Sequence, residues 1–198
     1  VVAVFRRWGR SGDDTPVETT FLQRLAHVFT VLCTEIARVY AMDSLKTLES
    51  WPVDNVAGSV VANGEVYAHG DVDRVFDTMS VTKPVAAYGF LLAYEEGIFE
   101  LDSPAGPDGA TIRHLLAHAS GVGFDSPEPQ RPVEDRRIYS SAGFEILADI
   151  VAEEAGMPFA EYLHEAVFVP LGMNSSVLEG SAGHGMKSTV SDLTRFAQ

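Results

Sequence analysis

Apolar residues at positions 21, 22, 25, 28, 29, 32, 36 and 39 recur every three or four places. That spacing marks one face of a helix, so residues 16–42 are expected to contain one long amphipathic helix. Thr15 stands as its cap, Pro16 at the first helical position and Glu18 where it can reach back. Such a stripe packs on a sheet or on a partner, and a sheet is the commoner outcome. Residues 1–13 read as a loose lead-in. The pattern then changes period. In "VAGSVVANGEVYAHG", residues 56–70, two β-rich runs flank Asn63-Gly64. That dipeptide favours the positive φ angles of a type I′ turn and predicts a hairpin. A helix follows over 80–96, with Gly97 as its stop. Between 98 and 143, Gly, Pro, Asp and Ser interrupt everything except "TIRHLLAHAS", and "SPEPQRP" is loop. "FEILADIVAEEAG" predicts an amphipathic helix ended by Gly156, and "PFAEYLHEAVF" another begun by Pro158. Thr189 and Asp192 open a last helix in "LTRFAQ", which meets the chain end without a stop signal. The chain is therefore expected to continue in the complete protein. The pattern divides it into residues 1–50, a lead-in and amphipathic helix, and residues 51–198, the main domain.

Length and composition fit a globular chain of one domain or slightly more: 198 residues, 46 % hydrophobic, with no internal repeat. The formal charge of -14 comes from 14 basic and 28 acidic residues. It argues against a nucleic-acid partner, since phosphate binding needs a basic face. Cys33 is the only cysteine, so no intrachain disulfide can form. Its helical apolar setting suits a small buried hydrophobe, with a reactive thiol as the alternative. No uninterrupted apolar run reaches the ~18 residues of a membrane span. The nearest, residues 21–42, is broken by Arg24, Glu35 and Arg38. No export signal is visible, and cytoplasmic and exported locations are both compatible with the sequence.

The candidate chemistry lies in "SVTKP", residues 80–84. Three residues along a helix is about 300° of rotation and roughly 4.5 Å of rise, so Ser80 and Lys83 share a face. A serine hydroxyl is a poor nucleophile until a base takes its proton. A lysine serves only when neutral, and from a reference pKa of about 10.4 that costs ~3 units near pH 7, roughly 4 kcal/mol. A helix N-terminus supplies only ~0.3–1 kcal/mol of this, up to ~2 when partly buried. Burial and a further proton-passing group, such as a tyrosine, must supply the rest. On the pair alone, a polar helix start that happens to hold a lysine is the competing reading.

The surroundings of the pair decide between them. "SVTK" followed by Pro84, "HLLAHASGVGF" at 114–124, "YSSAGFEILADIVAEEAGMPFAEYLHEAVFVPLGM" from Tyr139, and "STVSDLTRFAQ" at the end stand in one order. In that order and at those spacings they resemble the serine β-lactamase and penicillin-binding protein superfamily, in particular its class C, esterase-like and D-alanyl-D-alanine carboxypeptidase branch. The likeness runs from about residue 54 to the end. It implies an α/β (α+β) fold of the β-lactamase/transpeptidase type, with helices packed on an antiparallel sheet. It also implies a serine hydrolase working through an acyl-enzyme on an ester, amide or β-lactam bond, with a small-molecule or peptide-like acyl substrate. Ser80 would be the acylated nucleophile and Lys83 would take its proton. Tyr139 would exchange protons with Lys83 and the leaving group. Ser141 stands in the substrate-binding position the family gives to Asn, and lacks that amide's paired donor and acceptor. This shifts the expectation from dedicated β-lactamase toward esterase or peptidase. No cofactor is implied. His114 and His118 are four apart, a metal-ligand spacing, but Leu115 stands where a zinc protease needs Glu, and the resemblance makes the segment structural.

The family's third motif, Lys-Thr-Gly or His-x-Gly on a strand lining the site, is not found. "HGMKST", residues 184–189, has Thr189 in place of Gly and is expected to lead into a helix rather than follow a strand. The C-terminal strands of the fold are thus expected to be missing, leaving one hairpin as the only clear sheet. Losing one oxyanion donor costs about 10²–10³ in rate. Open sheet edges invite self-association. The chain is then part of a longer protein, the favoured reading, or pairs with another copy, or is compromised as an enzyme. A non-catalytic or acylation-only, penicillin-recognising binding or sensor module is the alternative function.

Overall fold

The computed structural model describes residues 35, 36, 39, 40 and 42–198. Most of the predicted helix over 16–42, with Cys33, lies outside the described residues. The described positions between 35 and 46 are helical, and we label them α1. Ile36, Val39 and Met42, where described, are solvent-exposed, and Leu45 is buried. Among the described residues no helix is long and apolar enough to cross a membrane.

A 3-10 turn at Thr47–Ser50 leads into the hairpin β1 (Ala57–Ala62) and β2 (Glu65–Gly70). The strands pair antiparallel with Ala62 opposite Glu65, and Asn63 (φ 54°) and Gly64 (φ 80°) form the turn the sequence predicted. Next come β3 (Phe76–Asp77), a 3-10 turn at Met79–Val81 and α2 (Thr82–Glu95). Gly97 takes up φ 76° beyond the end of α2. The predicted patch at 111–120 yields only α3 (Ile112–Leu116), opened by a Thr111–His114 capping box. The chain leaves this helix into His118, whose φ is 59°.

α4 (Ala142–Ala155) ends on Gly156 at φ 69°, as expected. The next predicted helix is split into α5 (Phe159–Leu163), a π turn at His164–Phe168 and α6 (Val169–Leu171). The widened turn sits just before Pro170, which has no N–H for the carbonyl of Ala166 four residues back. The chain closes with β4 (Val177–Leu178), β5 (Met186–Ser188) and α7 (Val190–Phe196). Thr189 caps α7, accepting from the Asp192 N–H at 3.0 Å.

The expectation of a single sheet is corrected. β3, β5 and β4 form a second antiparallel sheet, with β5 in the middle. "HGMKST" therefore contains a strand as well as leading into a helix. Strands of two or three residues carry no alternation that a sequence reading can register.

The core lies between α2, α4 and α5. Phe90 stacks on Phe159 at 4.5 Å and meets Phe144 edge-on at 5.8 Å. A Cβ on Gly89 would lie 2.7 Å from Leu163 Cδ1, so glycine is what lets α2 come this close. Fully burying a side chain such as Leu147 or Phe90 contributes about 1.5–3 kcal/mol. The result is a fixed first turn of α2, which carries Lys83 and follows directly on the 3-10 turn of Ser80.

Candidate active site

Ser80 lies in the 3-10 turn that feeds α2, and Lys83 in the first turn of α2. Two threonines clamp this junction to β5. Thr78 donates from both its N–H (3.0 Å) and its hydroxyl (2.8 Å) to the Met186 carbonyl. Thr82 accepts from the Met186 N–H at 3.0 Å and donates to the Met79 carbonyl at 2.6 Å. Met79, just before the serine, is held at φ 49°. A non-glycine residue there costs on the order of 1–3 kcal/mol and persists only where its surroundings over-determine it. The threonine clamp does so here.

Lys83 is 4 % exposed. Its Nζ donates to Ser141 Oγ at 3.0 Å and to the Gly183 carbonyl at 2.8 Å. It also sits 4.5 Å from the centre of the Tyr139 ring. Tyr139 is 41 % exposed and stands at the rim. Its phenol is held below the usual tyrosine pKa, first by hydrogen bonding to the Ser80 hydroxyl and then by Lys83, against the opposing effect of burial. The three side chains line one cleft of about 640 Å³ together with Met79, Pro84, Leu116, His118, Arg137 and Phe144. Among the described residues no carboxylate lines it, in a chain with twice as many acidic as basic residues.

The loop at 118–124 fixes Tyr139 and the start of α4. The Ser141 and Ala142 N–H groups donate to the Phe124 carbonyl at 2.8 and 3.0 Å. Ser140 donates its hydroxyl to the Gly123 carbonyl at 2.6 Å and its N–H to His118 Nδ1 at 3.1 Å. His118 packs between Tyr139 (4.8 Å) and Phe144 (5.4 Å). Burial, then Arg137 and Lys83, lower its pKa to about 4, so it is neutral and accepts at Nδ1. His114 turns the other way. Its Nδ1 accepts from the Thr111 N–H at 3.1 Å, and its Nε2 meets Glu134 at 3.2 Å. The two histidines are thus separate structural devices.

The structure brings all four candidate residues together. Ser141 is buried against Lys83 and does not line the cleft, so its contact is with the lysine. Lys187 pairs with Glu179 at 2.6 Å and does not line the cleft. The sequence reading missed Gly183, a backbone acceptor a hundred residues from Lys83. A Cβ there would come within 3.0 Å of Ser141 Cα and Oγ. Arg137 was also missed, because an arginine in a loop carries no spacing signal. The closing "STVSDLTRF" block serves the fold: buried Asp192 accepts from the Ser175 N–H and the Ser176 hydroxyl, both at 2.8 Å.

With this geometry established, comparison with known proteins places the chain. The family model described as Beta-lactamase matches residues 53–198, and the chain belongs to that family. The crystal structure of a beta-lactamase from Mycobacterium bovis is 47 % identical, superposes with a TM-score of 0.75 and matches over 77 % of this chain and 58 % of its own. Penicillin-binding protein 4* of Bacillus subtilis is 29 % identical over 52 % of this chain and 30 % of its own length. D-amino acid amidase from Ochrobactrum anthropi, at 20 % identity, shares the fold with a TM-score of 0.68 over 77 % of this chain and 67 % of its own. The chain therefore spans under a third of the curated relative and somewhat over half of the mycobacterial structure.

Proposed function

We propose that this chain carries the nucleophile and proton-transfer groups of a serine hydrolase acting through an acyl-enzyme. The observation that carries the reading is buried Lys83, hydrogen-bonded to Ser141 and Gly183, beside a Tyr139 phenol whose pKa is lowered by the serine and the lysine together. Ser80 Oγ bonds to the acyl carbon while its proton passes to the Lys83–Tyr139 pair. The bond to the leaving group breaks as the pair hands that proton on. A water then attacks the acyl carbon and gives a proton to the pair, and Ser80 leaves with it. At each step the proton passes to a group whose chemistry suits it to hold one.

The substrate is an ester, an amide or a β-lactam. Arg137 at the wall of the cleft, which no carboxylate among the described residues lines, favours one that carries a carboxylate. Ser141 in place of an amide side chain favours ester or peptide-like substrates over efficient β-lactam turnover. The second reading, a module that is acylated without turnover, has its own support. The cleft walls come from the Ser80 turn, α2, residues 116–118 and residues 137–144, while Met79 and Val81 beside the serine stay 61 % and 48 % exposed. Timed product release from a p-nitrophenyl ester and from a fluorescent penicillin separates the readings. Release beyond one equivalent per chain, abolished in Ser80→Ala, supports the hydrolase. A stop at one equivalent supports acylation only. Release unchanged in Ser80→Ala refutes both.

A further inference from the structure

Glu145 lies one helical turn after Ser141 on α4, so both side chains leave the helix on the same side. Ser141 reaches Lys83 directly. Glu145 instead holds the turn at 181–183. Its carboxylate accepts from the Ser181 hydroxyl and from the Ala182 and Gly183 N–H groups, each at 3.4 Å. Ser181 Oγ accepts from the Gly183 N–H at 3.0 Å and lies 2.8 Å from His184 Nδ1. Since the single proton of Ser181 goes to Glu145, His184 Nδ1 is the donor in that contact. The last group in this chain of bonds is the Gly183 carbonyl, which accepts from Lys83 at 2.8 Å.

We propose that Glu145 is a positioning residue for Lys83: it clamps the 181–183 turn so that the Gly183 carbonyl is held on the lysine amine. The proposal deepens the reading of Lys83 as a proton carrier and rests on it for its catalytic meaning. Three features point the same way. The turn presses directly on Ser141, with no room for a side chain at 183. All three donors of the turn converge on one carboxylate. Lys83 is buried, so an acceptor lost there is not replaced by bulk water. An acceptor held on the amine fixes where the amine sits beside Ser141 and the Tyr139 ring, so loosening the turn frees it to move away from them.

The chain has three lysines, Lys46, Lys83 and Lys187. Labelling them with 13C at Cε gives three signals, assigned by Lys46→Arg and Lys187→Arg. The position and width of the Lys83 signal are compared at one pH in the parent chain, in Glu145→Ala and in Ser181→Ala, which breaks the clamp and leaves the charge of Glu145 in place. The expected result is a Lys83 signal displaced from its parent position in both variants, with the Lys46 and Lys187 signals unmoved. The displacement in the Glu145→Ala/Ser181→Ala double variant should be no larger than in the worse single. Acylation of Ser80, followed in parallel, should slow by about 10-fold or more in each. A Lys83 signal unmoved in both variants, with the fold retained, overturns the proposal. The NMR comparison needs no turnover. A displaced signal without any acylation of the parent chain upholds the clamp and refutes the hydrolase reading; acylation with an unmoved signal does the reverse.

Discussion

The helical body and the β1–β2 hairpin are held together by different means. In the body, seven of the fourteen residues of α2 are buried, and Lys83 is tied by hydrogen bonds to Ser141 and to the Gly183 carbonyl. In the hairpin no residue is fully buried, and its shape comes from one tight turn and its own cross-strand ladder. Among the described residues its attachments include Ser59 Oγ to Thr194 Oγ1 on α7 at 2.6 Å, His69 Nε2 to Glu49 at 3.8 Å, and Leu48 packed close over Gly58. A two-stranded hairpin alone is marginal in water, so such contacts help to hold it. The difference shows where precision is needed. Proton transfer tolerates little displacement of the groups involved, and those groups sit where packing and hydrogen bonds over-determine position. The hairpin supplies surface and lends the site no side chain.

The comparison can be broken from either side. The largest effect is expected from Lys83→Ala, which removes the amine from between Ser141, Gly183 and Tyr139. Acylation of Ser80 should slow by about 10²–10⁴, read by stopped-flow ester hydrolysis. A loss below tenfold would mean that Tyr139 works without the lysine. Next, Leu147→Ala, in the fully buried face of α4, should cost about 2–5 kcal/mol in denaturant unfolding. The folded fraction should keep its acylation rate if the loops fix the site independently of that layer.

A smaller effect follows from His118. Its folded pKa of about 4 lies below the ordinary 6.5, so its contribution to stability is fully present above pH 6.5 and is lost as the pH falls toward 4. Thermal unfolding between pH 7 and pH 4 should show a steeper fall in the parent chain than in His118→Asn. Equal slopes would mean that burial beside Arg137 and Lys83 does not hold the imidazole neutral. The smallest effect is expected from Ser59→Ala. Thr194 keeps its bond to the Val190 carbonyl at 2.6 Å, so no buried group is orphaned and the cost should be about 1 kcal/mol or less. Acylation should be unchanged. A change there would mean that the hairpin does help to set the site.

What could be read from the chain beforehand follows the same division. The hairpin turn was legible because Asn63-Gly64 has few alternatives. α2 and α4 were legible from apolar spacing and terminal glycines, and the Ser80, Lys83 and Tyr139 grouping from four ordered blocks of residues. The second sheet was not, because its strands hold two or three residues and β3 joins β5 from about a hundred positions away. Nor was the part played by residues 181–183. A glycine carbonyl has no side-chain signature, and Glu145 in an amphipathic helix reads as an ordinary solvated acid until its partners are known. The clamp by Thr78 and Thr82 was equally hidden, since threonine at a helix start usually caps its own helix. Here both threonines bond a strand more than a hundred residues away.

The central claim is that Ser80 is a nucleophile served by the Lys83–Tyr139 pair. The most direct test is to quench the chain seconds after mixing with a fluorescent penicillin or an activated ester, digest it and locate the added mass. The account predicts one acyl group, on the peptide containing Ser80, formed far more slowly in Tyr139→Phe and absent in Ser80→Ala. An adduct on any other residue, or one that forms equally fast without the phenol of Tyr139, would contradict it.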